Sequence, residues 1–389
     1  MKQTALLELA FRPFFLGASA LSIVALTLWL AQMNSIVQSH AFYPVVWHAE
    51  QMIFGFAATV AVGFLLTAVQ TWTGLPSISG AQLGALVLIW LMARLGLLFA
   101  PQSFTLPAIA LLSIWWLWVT AAFARLLLLS QSKRNYALPP LLAVLGLLNI
   151  SVLVLAVTGK PALALHLTKT AVLLFTLLMS IIGGRIVPLF TRSGLKREGI
   201  DLEMSDPLPW LEKMLPVINL LAVVCFVLEV YLPFSPALAL IVTGSLHLLR
   251  WSRWRGLQTL KVPLLWSLHL SYLYMSLGLL AVGLSYWYQP IGFSQALHLV
   301  AVGGIGLMIL AMISRVSLGH TGRPLVVSAW VNLAFVFLAI AALARSILPM
   351  SGWVVTGWNL SGLLWALAFG VFLIYYIPIL SQQRADKAE

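Results

Sequence analysis

The sequence predicts an all-α, polytopic membrane bundle of about twelve transmembrane helices with both termini on the cytoplasmic side. Three observations carry that expectation. The 389 residues are 61% hydrophobic and only 8% charged, far below the roughly 25% that a soluble domain carries. Apolar runs close to the ~20 residues needed to cross a bilayer recur along the chain. Lys and Arg also alternate between successive connections, as a twelve-span count requires.

The spans are expected near 14–31, 45–69, 82–100, 106–129, 139–157, 163–187, 210–231, 236–251, 263–287, 293–314, 325–347 and 353–380. The first follows Phe11-Arg12-Pro13-Phe14-Phe15 and is long enough to span and stay, with no cleavable leader evident. Turn residues separate later spans: Pro76, Pro101, Pro139-Pro140, Gly159-Lys160-Pro161, Pro233, Pro290 and Pro324. One set of connections holds Lys133, Arg134, Arg192, Lys196, Arg197, Arg250, Arg253, Arg255, Lys261, Arg315 and Arg323, whereas the opposite set holds little beyond Lys160 and Arg345. The first set is therefore placed in the cytoplasm.

The same alternation explains the net charge of +12 as topogenic, so nucleic acid is not an expected partner. Membrane lipid is. The 16 Trp residues suit interfacial belts. A single cysteine, Cys225, excludes disulfides and cysteine-based zinc or iron–sulfur sites within one chain. Residues 1–389 read as one integral-membrane domain. A polar loop at 191–209 divides it into halves 1–190 and 210–380, a division that many transporters share, although no sequence repeat links the halves.

Five of the seven histidines fall in or at the ends of spans: His48, His247, His269, His298 and His320. An ionisable ring in a bilayer is costly, which makes each a functional candidate, and neutral imidazole is the commonest metal ligand. His48 opens the second span at its outer end. At 100° per residue it shares a face with Met52, Gly55 and Thr59. His298 opens the tenth span in the same way, above Gly303-Gly304-Ile305-Gly306. Small residues below a histidine leave room for a flat, bulky group or for a neighbouring helix. Two such rings suit the axial positions of a low-spin haem, or one haem ligand and one metal ligand.

His247, His269 and His320 lie toward the inner side. If they converge, three imidazoles suit copper. His298 and His320 would be about 33 Å apart along one helix, which implies two separate sites. His166 and His40 are expected to be ordinary. Glu50 lies about 200° from the His48 face, either wet or accepting a proton. Arg94 and Arg185 sit in or at the ends of spans. Arg185 either snorkels to the interface or pairs with a haem propionate.

These residues resemble the NnrS family of bacterial inner-membrane proteins. The similarity covers Phe11-Arg12-Pro13-Phe14-Phe15, Trp47-His48-Ala49, Met52 through Ala57, and Gly63 through Ala68 with Trp72-Thr73-Gly74. It continues through Gly183 to Pro188 with Phe190-Thr191, then His247, Arg250-Trp251, Pro263-Leu264 and Trp266 to His269. It is strongest from His298 through Arg315-Val316-Ser317-Leu318-Gly319-His320-Thr321-Gly322-Arg323-Pro324, and in the last two spans only hydropathy matches.

The resemblance implies non-covalent haem, copper, and a role in nitric oxide metabolism and relief of nitrosative stress. Redox activity toward nitric oxide or its iron adducts is one expectation; with no soluble cofactor domain in the sequence, its electrons would come from quinol or a redox partner protein. The resemblance carries over His48, His247, His269, His298 and His320 as candidate ligands; we assign His48 and His298, with Arg185 as the propionate partner, to haem, and His247, His269 and His320 to metal. One departure concerns the family motif Trp-His-x-His-Glu-Met. Here Glu50 replaces the second histidine and Gln51 the glutamate, so a ligand is either lost or replaced by a carboxylate. Two other classes remain open from the residues: a secondary transporter of a small solute or metal complex, and an assembly scaffold for a respiratory complex.

Overall fold

A computed structural model describes residues 4–38, 43–200 and 206–387; His40, Asp201 and Glu203 lie outside the described residues. Those described are helical with no strand. In chain order the principal helices are α1 (Phe11–Met33), α2 (Pro44–Thr73), α3 (Gly80–Phe99), α4 (Pro101–Leu129), α5 (Leu138–Val157) and α6 (Pro161–Arg197). They continue with α7 (Pro209–Leu228), α8 (Ala237–Ser252), α9 (Pro263–Leu284), α10 (Phe293–His320), α11 (Ala329–Met350) and α12 (Val354–Ser381). Among the described residues, eleven helical segments are long and apolar enough to cross a membrane. The exception is α8, whose 16 residues measure about 24 Å against a hydrocarbon core of ~30 Å.

Two of the turn signals, Pro101 and Pro161, are helix starts. α2, α4, α6, α7 and α9 each begin on a proline, whose fixed φ suits the first helical position and whose missing N–H would have found no partner there. Gly74 and Gly159 end α2 and α5 with φ of +70° and +74°, a conformation that carries no steric penalty only for glycine.

Several helices outrun the expected spans. α1 starts at Phe11, α10 continues to His320, and α6 runs to Arg197, so Arg192 and Lys196 are helical rather than part of a loop. Hydropathy reports where the chain meets hydrocarbon. Backbone hydrogen bonding carries the helix on into the polar layer.

The chain forms two compact units. The first comprises Met1–Ala171, Val316–Pro324 and Phe372–Glu389; the second comprises Val172–Arg315 and Leu325–Val371. One boundary between the units falls inside α6.

In the first unit, α1 and α4 both pack on α2. Phe14 meets Trp90 and Trp115 edge-on at 6.2 and 5.9 Å, and Phe11 N–H donates to Thr67 Oγ1 at 3.1 Å. Arg12 is fully buried and ties the chain ends together, donating to the carbonyls of Leu380 at 3.1 Å and Gln382 at 2.6 Å. In the second unit, α9 lies against α8, α10 and α11. Gly244 and Gly283 let α8 and α9 touch through backbone: a Cβ would fall 2.6 Å from Leu280 N and 2.7 Å from Ala237 O respectively.

Candidate metal and haem residues

His48 and His298 precede the same local device. Gln51–Ala58 after His48, and Leu299–Gly306 after His298, are turns of π-helix, a rare form that recurs at functional sites. Thr59 Oγ1 donates to Phe54 O five residues back, at 3.2 Å. The wider turn breaks the 100° spacing that put Met52, Gly55 and Thr59 on the His48 face.

The space beside the glycines holds neighbouring side chains. A Cβ on Gly55 would lie 2.8 Å from Leu21 Cδ2, one on Gly303 2.5 Å from Tyr274, and one on Gly306 2.6 Å from Trp365. Of the two uses open to these small residues, the structure takes helix packing. The His48 ring stacks on Trp29 at 4.6 Å. His298 Nδ1–H donates to Ser294 O at 2.6 Å, which leaves the ring lone pair on Nε2. His48 belongs to the first unit and His298 to the second.

Glu50 is neither wet nor facing solvent. It is buried, and its Oε1 accepts from Arg94 Nη1 at 2.6 Å and from Asn149 Nδ2 at 2.8 Å. Asn149 Oδ1 in turn accepts from Trp116 Nε1 at 3.0 Å. Arg94 and Asn149 are the partners that sequence reasoning missed. A cation in an apolar span was a signal that a buried acid existed to meet it.

In the second unit, His247 is fully enclosed with both nitrogens engaged. Asn219 Nδ2 donates to Nε2 at 3.0 Å, so Nδ1 donates to Tyr272 Oη at 2.7 Å. Tyr272 also accepts from Arg250 Nη1 at 3.3 Å, and Arg250 forms a two-pronged ion pair with Glu212. Gly184 gives Arg250 its room, since a Cβ there would collide with the guanidinium. Arg250 is thus a buried member of α8, not a loop cation.

His269 is different. Thr191 Oγ1 gives its hydrogen to Val187 O at 2.8 Å and accepts from His269 Nε2–H at 2.8 Å. The lone pair therefore sits on Nδ1, which is buried without a hydrogen-bond partner. It faces Gly256, where a Cβ would lie 2.7 Å from it.

His320 lies in the first unit, its ring 5.6 Å from that of Phe11. His247 and His269 lie in the second. Among the described residues no three His, Cys, Asp or Glu side chains gather as a metal centre would require. Arg185 and His166 are half-buried on α6.

The family model described as NnrS protein matches residues 5–384. The chain belongs to the NnrS family. A comparison with curated proteins found no match. The blocks that this NnrS-family chain shares with the pattern acquire local reasons in the fold. Phe11-Arg12 ties the first unit's ends, and Gly183-Gly184 accommodates Tyr272 and Arg250. The stretch from Gly303 packs on α9 and α12.

Proposed function

We propose that this protein is a haem- and copper-binding component of the bacterial inner membrane, with both termini cytoplasmic, acting in nitric oxide metabolism and relief of nitrosative stress. The observation that carries the reading is the Nδ1 lone pair of His269, buried beside Gly256 without a hydrogen-bond partner. An orphaned buried acceptor costs about 1–3 kcal/mol, and a ligand would repay it. Its other nitrogen is already oriented by Thr191, the arrangement that metal-ligating histidines use.

His298 is a candidate by position, with Nδ1–H oriented by Ser294 O. His247 does not fit, because both nitrogens are bonded and a ligand bond would break the Asn219 contact. His48 and His320 remain candidates by position, and Arg185 is the candidate partner for a propionate. A haem iron or copper ion held here would supply a redox centre able to bind nitric oxide, with electrons from quinol or a partner protein. The chain's own part is to orient imidazoles and keep water from them. With one cysteine, Cys225, any haem is non-covalent.

The test is a dithionite-reduced minus oxidised spectrum with metal analysis on detergent-purified protein from cofactor-replete cells. His269→Ala and His298→Ala should each lose a cofactor signal, and nitric oxide should shift the wild-type haem band. His247→Ala should lower thermal stability and keep the cofactor. A colourless, metal-free wild type would overturn the reading and return transport or scaffolding to the front.

A further inference from the structure

At the basic end of α6, two arginines make no ion pair with a described residue. Arg315 on α10 is only 8% exposed, and its Cζ lies 3.8 Å from the centre of the Phe190 ring. That contact covers one face of the guanidinium and leaves the N–H donors at its edge. None of them makes a hydrogen bond or ion pair to a described residue. A guanidinium held mostly enclosed, with donors still accessible and no counter-charge among the described residues, is placed to take an anion from outside them.

Arg197 deepens the deficit. It lies within electrostatic reach of Arg315 and repels it. It stands seven residues beyond Phe190 on the same helix, about two turns, and so on the same face. Ser193 lies between them, its Oγ turned back to Phe190 O at 3.2 Å. The 37 residues of α6 measure about 56 Å, against ~30 Å of hydrocarbon. Its last turns therefore reach the headgroup or aqueous layer.

We propose that Arg315 and Arg197, beside Phe190, form a binding site for a phosphate group. Two fixed positive charges match a phosphate of one to two negative charges, and guanidinium pairs with its oxygens in a planar fork. A carboxylate would leave one charge unanswered. A phospholipid headgroup and free phosphate offer the same chemistry, and the depth of the site suits both. The inference is independent of haem and copper.

The experiment uses the full-length protein in detergent, with two arms: native mass spectrometry with phosphatidylglycerol, and calorimetry with inorganic phosphate in the absence of added lipid. Arg315→Gln should weaken binding about tenfold or more, and Arg197→Gln about threefold or more, as loss of charge-assisted hydrogen bonds implies. Arg192→Gln is the control, since Arg192 is exposed and about 200° around α6 from Phe190, and it should bind as wild type does. Binding in the lipid arm alone assigns a headgroup site; binding of inorganic phosphate assigns a free-phosphate site. No binding in either arm overturns the proposal. So do equal losses in Arg192→Gln and Arg197→Gln, which would mean diffuse attraction to a basic surface. If Arg315→Gln fails to fold, the comparison of Arg197→Gln with Arg192→Gln decides alone.

Discussion

Glu50 and Arg94 are each almost fully enclosed within an apolar bundle, and their 2.6 Å contact keeps two charges from being stranded there. Removing one partner of a buried pair typically costs about 3–5 kcal/mol, whereas removing both costs far less. Glu50→Ala and Arg94→Met should thus each lower the thermal midpoint sharply, and the double variant should recover part of the loss. Additive single effects in that cycle would mean the two charges do not depend on each other. Tyr286 offers a second residue-scale test. It lies beyond the end of α9, donating to Glu229 Oε2 at 2.7 Å. Burial, reinforced by that carboxylate, holds its hydroxyl well above the ordinary range near 10. The raised value favours the folded, protonated state, so this contribution is present in full below about pH 10 and lost as pH rises beyond it. A melting midpoint that falls less steeply above pH 10 in Tyr286→Phe than in wild type would fit; identical slopes would not.

Helices here are spaced by what their glycines exclude. At Gly244 the hypothetical Cβ meets backbone of α9, which no rotamer change can move, whereas at Gly370 nothing lies within 4 Å. Gly244→Ala should therefore destabilise by about 1–3 kcal/mol through overpacking, while Gly370→Ala should be neutral or gain up to ~1 kcal/mol from helix propensity. Parallel detergent melts would read both, and equal effects would argue against close backbone contact between α8 and α9. The number and order of helices were legible in the sequence because bilayer thickness imposes a length on apolar runs. Their ends were not, as α6 shows, because Arg192, Lys196 and Arg197 extend a helix into a layer where hydropathy is silent. The π-turns after His48 and His298 were also invisible, since no residue preference marks an i→i+5 bond over eight apolar residues.

Across the whole chain, Arg12 joins residues 368 positions apart. Nearby, Ala385 N–H donates to Thr321 O at 3.0 Å and Arg323 Nη2 to Gln382 Oε1 at 3.2 Å, so the C-terminal segment is fastened to α1 and to the turn after His320. Arg12→Ala should expose residues after Ser381 to protease at temperatures where wild type resists, and Arg12→Lys should rescue only part, because one ammonium cannot meet both carbonyls at Nη1 and pair with Glu8 through a second nitrogen as the guanidinium does. Full wild-type protection in Arg12→Ala would show that the segment is held by other means.

The sequence by itself determined the solvent this protein folds in, its helix count and its family, since these follow from composition, run length and residue order. It also identified His269 and His298 as candidates. Only the tertiary structure decided which imidazoles have a lone pair to offer. His247 and His269 read alike as histidines in apolar helices. Asn219 and Tyr272, brought from α7 and α9, occupy both nitrogens of one, while Thr191 engages only Nε2 of the other and its buried Nδ1 has no hydrogen-bond partner. Hydrogen-bond partners across helices are set by packing, and one strand of letters does not record which side chains packing brings within 3 Å.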